Sequence, residues 1–286
     1  MLAAYKRLLL EGAIKNSANI LVLLLIFCSC SPQASAIESL SASGCSVSNV
    51  GYLNDLAKEY ERLSGTMMFV RGGGSIVGLR DLRQGKIDYA ASCQSKQADD
   101  PEDFEFTIAS WDALVFIVHK SNPLNSITPQ QVRDIYEGRI TNWKQLGGPD
   151  LKIISFISSQ EGMGGIGESL SKFILNGKRP AKQANSSMQA SSVAIWEQLV
   201  ERTPEGFAST GFGSSRKRDV KVLMVNGVAP TKANIISDKY PFRRPLFLVT
   251  KKNPKPEILK FIDFVLSRKG QALISSYGMP SLADVK

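Results

Sequence analysis

From residue 37 onward, short apolar runs alternate with segments whose apolar positions recur at helical spacing, and glycine or polar breaks separate them. Residues 37–44 read as a short strand and Cys45 to Asn49 as a polar turn. In residues 50–64, Leu53, Leu56, Ala57 and Tyr60 share one helical face, and Gly65 ends the helix. A strand over 67–70, a helix over 76–84 and a strand over 87–91 follow. Strand, helix, strand, helix, strand implies right-handed crossovers and a largely parallel sheet. Residues 101–110 read as a charged, irregular link, and 111–118 (WDALVFIV) as a buried strand. The loop 119–124 is the expected crossing into a second lobe. There, Thr128 and Pro129 open a helix that runs to Tyr136. A short turn begins at 141–143, a strand spans 153–157 and a helix 168–176. The polar stretch 178–192 leads into a helix over 191–202, with Ser186, Ser187, Ser191 and Ser192 expected in a surface loop and helix cap. Strand-rich stretches follow at 206–213 and 220–225, then a loop with a short helix at 230–240. A strand over 246–250 returns the chain to the first lobe, which helices over 256–266 and 270–277 complete. The lobes are thus expected as residues 37–118 with 246–286, and residues 119–245.

Two glycine-rich breaks fall between a strand and a helix: Gly72-Gly73-Gly74 before Ser75, and the stretch 158–167 (SSQEGMGGIG). Such a turn exposes consecutive backbone N–H groups beside the positive end of the helix, which is a way to hold an anion. In open α/β sheets, ligands bind beyond the carboxyl ends of the strands. The polar tips there are Ser46 and Ser48, Ser75, and Ser92 with Cys93. These turns would converge on one cleft, with the two glycine devices facing each other across it.

Charge is compatible with an anionic ligand. The chain of 286 residues carries a net +9. Lys6, Arg7 and Lys15 against Glu11 supply +2 of it, so residues 37–286 retain +7. No basic helix interleaved with aromatics and no zinc-finger pattern is present, which argues against nucleic acid as partner. The N-terminus has the form of a signal peptide over 1–36: basic residues, an apolar run over 20–27, then small residues. Two processing sites compete, cleavage after Ala36 and a lipoprotein site at Cys30. The chain is therefore expected outside the cytoplasm, in the periplasm or tethered to a membrane by lipid. Cys45 and Cys93 remain after either cut. An oxidising compartment permits a disulfide between them, but spacing leaves open whether they meet. Enzyme chemistry has little support. His119 is the sole histidine, no G-x-S-x-G elbow occurs, and no cluster has metal-ligand spacing. Asp88 and Asp112 read as structural. No cofactor is expected.

Several blocks then resemble a known family. They are 69–75 (FVRGGGS), 85–92 (GKIDYAAS), 111–118, Asn122-Pro123, 134–143 (DIYEGRITNW), Lys239-Tyr240-Pro241, Arg244-Pro245-Leu246 and 261–267 (FIDFVLS). These resemble the phosphate-binding proteins of bacterial ABC phosphate importers, among the type II periplasmic binding proteins. The resemblance implies a two-lobed α/β receptor, each lobe a mostly parallel sheet flanked by helices. An anion would be held in the cleft between them, and the closed monomer would dock on an importer permease. It implies a ligand set of Ser46, Ser48 and Asn49 on the first loop, Gly74 and Ser75 on the second, Ser92 and Cys93 on the third, and Ser159, Gly162, Met163, Gly164 and Gly165 on the second-lobe loop. That last loop departs from the family pattern. Ser159 stands at the usual arginine, Met163 at the serine and Gly165 at the threonine, and Gln94 stands where the first lobe often has arginine. Phosphate or a related oxyanion is the ligand the resemblance implies. An altered ligand, or a signalling or structural role for an emptied fold, is the alternative.

Overall fold

The computed structural model describes residues 38–158, 164–180, 187–190 and 192–285. The expected signal peptide, Cys30, Ser159, Gly162 and Met163 lie outside the described residues. Strand β1 (Ser39–Gly44) leads into a helical turn at Ser46–Ser48, a π-helical turn at Asn49–Leu53 and helix α1 (Asn54–Ser64). The polar turn expected at 45–49 is therefore the first part of one helical run. Val47, Tyr52, Leu53 and Leu56 drive this, because all are buried and continue one apolar face. Strand β2 (Met67–Gly72), helix α2 (Ser75–Arg83) and strand β3 (Tyr89–Ser92) follow. β1 pairs in parallel with both β2 and β3, as the crossover rule requires.

Strand β4 (Phe104–His119) corrects the expectation of an irregular link at 101–110. Phe104, Phe106 and Ile108 alternate inward onto Leu79, Leu82 and Val249, while Glu105 faces solvent. The charged residues thus belong to the outer face of a strand. β5 (Ser126–Ile127) and helix α3 (Pro129–Tyr136) come next. The Thr128 hydroxyl accepts the Gln131 N–H, and the Gln131 side chain accepts the Thr128 N–H, so the expected helix start is a capping box with proline at its first turn. A 3-10 turn at Trp143–Leu146 precedes β6 (Ile154–Ser158).

Helix α4 (Gly164–Phe173) begins inside the second glycine turn, four residues before the expected start at 168. Of the expected serine loop, Ser186 and Ser191 lie outside the described residues, and Ser187 opens strand β7 (Ser187–Ala190), which lies parallel to β6. Helix α5 (Val193–Val200), β8 (Gly206–Gly211), α6 (Phe212–Ser215), β9 (Val220–Val222), β10 (Met224–Val225) and α7 (Lys232–Ile236) complete this part of the chain. Strand β11 (Arg243–Lys251) starts three residues earlier than expected, and helices α8 (Pro256–Leu266) and α9 (Arg268–Ser276) end the chain.

Among the described residues the main sheet runs β2-β1-β3-β11-β4-β8-β6-β7, with β9 also on β4, and β5 pairs with β10. It is mixed rather than largely parallel. β11 runs antiparallel to β3 and β4, and β8 antiparallel to β4. The long β4 joins two halves: its residues up to Ala113 pair with β11, and Leu114 to Val118 pair with β8. Each half has its own aromatic packing. Tyr60 and Tyr89 meet Phe261 in the first, and Trp143, Tyr136 and Phe116 surround Phe207 in the second. Glu38–Lys286 form one compact unit. No helix among the described residues is long and apolar enough to cross a membrane.

Candidate functional site

The point where β4 changes partners also brings the sequence-expected residues together. On the first half, Gly74 precedes α2 with φ 93°, a left-handed conformation that a side chain resists. That turn delivers Ser75 to the first position of α2, where it is buried. Ser75 Oγ accepts the backbone N–H of Cys93 at 3.0 Å and lies 3.5 Å from Cys93 Sγ. The second and third loops are thus tied together through the hydroxyl expected to hold ligand. Ser92 closes a local turn: its hydroxyl donates to Gln94 O and accepts Gln94 N–H. Ser46 Oγ and the amide of Asn49 flank Gly72. Ser48 Oγ and Asn49 Oδ1 are buried without a well-formed hydrogen bond to another described residue.

The second half closes onto these loops. Ser192, at the start of α5, places its hydroxyl 2.9 Å from Ser46 Oγ instead of capping its own helix. Gly164 and Gly165 form the first turn of α4. A Cβ built on Gly165 would lie 2.4 Å from the Cys93 carbonyl and Sγ, so only glycine permits this approach. The N-terminal turns of α2 and α4, from opposite halves of the sheet, therefore converge on Cys93.

Beneath them lies a buried ion pair that sequence reasoning treats as framework. Arg244 and Asp112 are partners in the antiparallel register of β11 and β4, which puts both side chains on one face. Arg244 Nε and Nη2 donate to Asp112 Oδ2 at 3.1 and 2.8 Å, while Nη1 donates to Gly165 O and Ser169 Oγ. Asp112 Oδ1 accepts the Gly213 N–H at 3.0 Å. A charge within the apolar strand 243–251 was the available signal, because a buried guanidinium requires partners. Burial works against the charge of Arg244, and the fields of Cys93 and Asp112 more than offset it, holding its pKa above the usual range.

Cys45 and Cys93 are both free thiols, both buried, and each lies in the field of the other. The neighbouring Cys45 thiol, then the Arg244 charge and the Ser75 hydroxyl, outweigh burial and bring the Cys93 thiol down to about 6; Asp112 opposes them. Burial pushes Cys45 up. A thiol that ionises near 6 when folded and near 9.0 when unfolded adds stability that is full above 9.0 and lost as pH falls through 6. Cys45 opposes this only above its own unfolded value. The melting temperature is expected to rise between pH 6 and 9, and Cys93→Ser to flatten that rise; differential scanning calorimetry across this range checks it.

A cavity of about 50 Å³ opens beside Cys93, lined by Ser95, Glu168, Lys172, Arg243 and Arg244 among others. Glu168 of α4 accepts the Ser95 N–H at 3.2 Å, which adds another bond between the halves. Burial raises its pKa. Among the described residues no group of three His, Cys, Asp or Glu is placed to hold a metal.

Comparison with known proteins gives this arrangement a family. The model of the PBP superfamily domain matches residues 31–269. The chain belongs to the PBP superfamily. Among the relatives of this PBP-superfamily chain, the phosphate-binding protein PstS of Borreliella burgdorferi is 29% identical over 251 residues, covering 84% of this chain and 89% of its own. PstS of Bacillus subtilis is 24% identical, covering 89% of this chain and 84% of its own. A putative phosphate ABC transporter substrate-binding protein from Clostridium perfringens, solved with bound phosphate, shares the fold with a TM-score of 0.76 and 24% identity, over 86% of this chain and 100% of that one. An ABC-type phosphate transport receptor from Vibrio cholerae has a TM-score of 0.63 and 27% identity, over 85% of this chain and 100% of that one.

Proposed function

We propose that this PBP-superfamily chain is an extracytoplasmic binding protein that captures inorganic phosphate, or a related oxyanion, between two lobes and delivers it to an ABC importer. The lobes are residues 37–118 with 246–286, and residues 119–245, joined through β4 and β11. The observation that carries the reading is the convergence of the α2 and α4 N-terminal turns beside Arg244. Each helix start offers unpaired N–H donors and the positive end of a dipole. Arg244 supplies the guanidinium charge that is absent at position 159, from another strand. The PstS relatives align over most of the chain and agree with this cargo. Ser46, Ser48, Asn49, Gly74, Ser75, Gly164 and Gly165 are the described residues we assign to the anion site, with Ser159, Gly162 and Met163 completing it. Ser92 and Cys93 shape its floor. The protein acts by binding and release rather than by catalysis, as a monomer, anchored through Cys30 or released by cleavage after Ala36.

Closure follows from the same geometry. The Ser46–Ser192 and Glu168–Ser95 bonds each link the two lobes, so separating the lobes breaks them together. An anion that draws N–H donors from both helix starts favours the closed form by its differential affinity. Calorimetric titration of the purified protein with phosphate, and with sulfate as control, tests the reading. Binding at about micromolar Kd or tighter, worth about 8 kcal/mol, is expected for phosphate alone. A folded monomer that gives no heat with phosphate would overturn it.

A specific observation favours the second reading, an altered ligand. The Asp112 carboxylate and the Cys93 thiol, drawn down to about 6, both face Arg244, and Gly165 packs directly on Cys93. Phosphate must therefore enter a site whose positive charge is already balanced. Heat with another small oxyanion but not with phosphate would select this reading.

A further inference from the structure

We infer that Cys45 and Cys93 form a redox-active dithiol within the cleft, and that closing it to a disulfide raises the affinity of the site for an oxyanion. The second half of this inference rests on the phosphate reading above, and the first half does not. The two cysteines follow β1 and β3, neighbouring strands whose register pairs Gly44 with Ala91. The Cys45 N–H donates to Ala91 O at 2.8 Å, which fixes the two loops side by side. Both side chains leave the same ends of paired strands, and each thiol lies in the field of the other. The Cys93 thiol has the surroundings of a reactive cysteine. It stands at the start of two helices, beside the buried Arg244, with the Ser75 hydroxyl at 3.5 Å. A small cavity carrying Lys172 and Arg243 reaches it, with Glu168 as the opposing carboxylate. Lifting Gly165 away as the lobes part uncovers it fully, because Gly165 sits directly on its carbonyl and sulfur. An extracytoplasmic compartment supplies disulfide oxidants.

The chemistry balances as thiol–disulfide exchange with a low-molecular-weight disulfide. The Cys93 thiolate attacks one sulfur of that oxidant, whose S–S bond breaks and releases one thiolate. Cys45, after losing its proton to solvent, attacks the Cys93 sulfur of the mixed disulfide and expels the second thiolate. Two protein thiols are oxidised, and one external disulfide is reduced to two thiols.

The consequence for the cleft is electrostatic. In the dithiol state the Cys93 thiolate acts as a resident anion between the α2 and α4 starts and opposes a second anion there. The disulfide is neutral. It leaves Arg244 paired with Asp112 and removes the negative sulfur from between the helix-start N–H groups. Oxidation is therefore expected to lower the phosphate Kd by about tenfold or more, the effect of about 1.4 kcal/mol.

The test uses the purified protein equilibrated either with glutathione disulfide or with a phosphine reductant. Each sample is alkylated and mapped by peptide mass, then titrated with phosphate in the same redox buffer. The expected result is that Cys45 and Cys93 are alkylated in the reduced protein, protected as one linked peptide pair in the oxidised protein, and that phosphate binds more tightly to the latter. Cys45→Ser should stop at the Cys93 mixed disulfide, read as one half of the oxidant added to the Cys93 peptide with no linked peptide pair. Two alkylatable cysteines at 45 and 93 after oxidation of a folded sample would overturn the inference. A linked pair with equal or weaker phosphate binding would overturn the electrostatic half while phosphate capture stands. A linked pair with no phosphate heat in either state would overturn that half together with the phosphate reading, and peptide mapping alone would then carry the dithiol.

Discussion

Arg244→Ala is expected to destabilise the protein by about 3–5 kcal/mol, the range for removing one partner of a buried pair. Asp112 is wholly buried and Arg244 nearly so. Deleting the guanidinium strands the Asp112 carboxylate, whose remaining hydrogen bond is the Gly213 N–H on Oδ1. It also removes the donor to Gly165 O and Ser169 Oγ, so the start of α4 loses its link to β11. Asp112→Asn in the same chain is expected to recover part of the loss, because an amide at that position carries no charge to strand. Urea unfolding of the single and double variants measures both. A loss below about 1 kcal/mol, the scale of an exposed pair, would show that this pair is hydrated. On the anion site proposed above, the same variant should also weaken phosphate binding.

Much of this fold is legible because its signals are local. The Thr128, Pro129 and Gln131 pattern contains a complete helix start, and the glycine turn at Gly72 to Gly74 announces a close backbone approach before α2. Residues 101–110 are different. Their charges belong to one face of a strand whose other face, Phe104, Phe106 and Ile108, finds its partners on α2 and β11. That pairing is set by tertiary contacts, so a local reading sees a link. β7 is hidden for a related reason: the four residues Ser187 to Ala190 carry no β-branched or aromatic residue and become a strand only by adding to β6.

The site divides along the same line. Ser75, Gly164 and Gly165 can be named from motif position, and the structure brings them together. The roles of their side chains cannot be read that way. Ser75 holds the Cys93 N–H, and Ser192, expected as a helix cap, reaches Ser46 across the cleft. Arg244 and Asp112 are separated by 132 residues, and only the β4–β11 register makes them a pair. A motif shows that an arginine precedes Pro245, but not what the arginine faces.

Gly165→Ala should prevent the lobes from closing fully and weaken phosphate binding by about 10- to 100-fold. The added methyl would overlap the carbonyl carbon, the oxygen and the sulfur of Cys93 at 2.4 Å. Two of those three atoms are backbone, fixed by the Cys93 N–H bond to Ser75, so the contact cannot be relieved by turning the cysteine side chain. Overpacking of this kind costs about 1–3 kcal/mol, and only the closed form bears it. The open form therefore gains population, and the apparent affinity falls with the fraction of molecules competent to close. Removing the sulfur separates the two contributions: Cys93→Ala added to Gly165→Ala leaves the backbone overlap and should restore little. The conformational shift is measurable without any anion, because an open cleft exposes Cys93. Its alkylation rate should rise in Gly165→Ala, and small-angle scattering with saturating phosphate should still report a larger radius than the parent chain. An unchanged alkylation rate together with unchanged affinity would mean that α4 shifts aside at no cost, and that the approach of Gly165 to Cys93 does not govern closure.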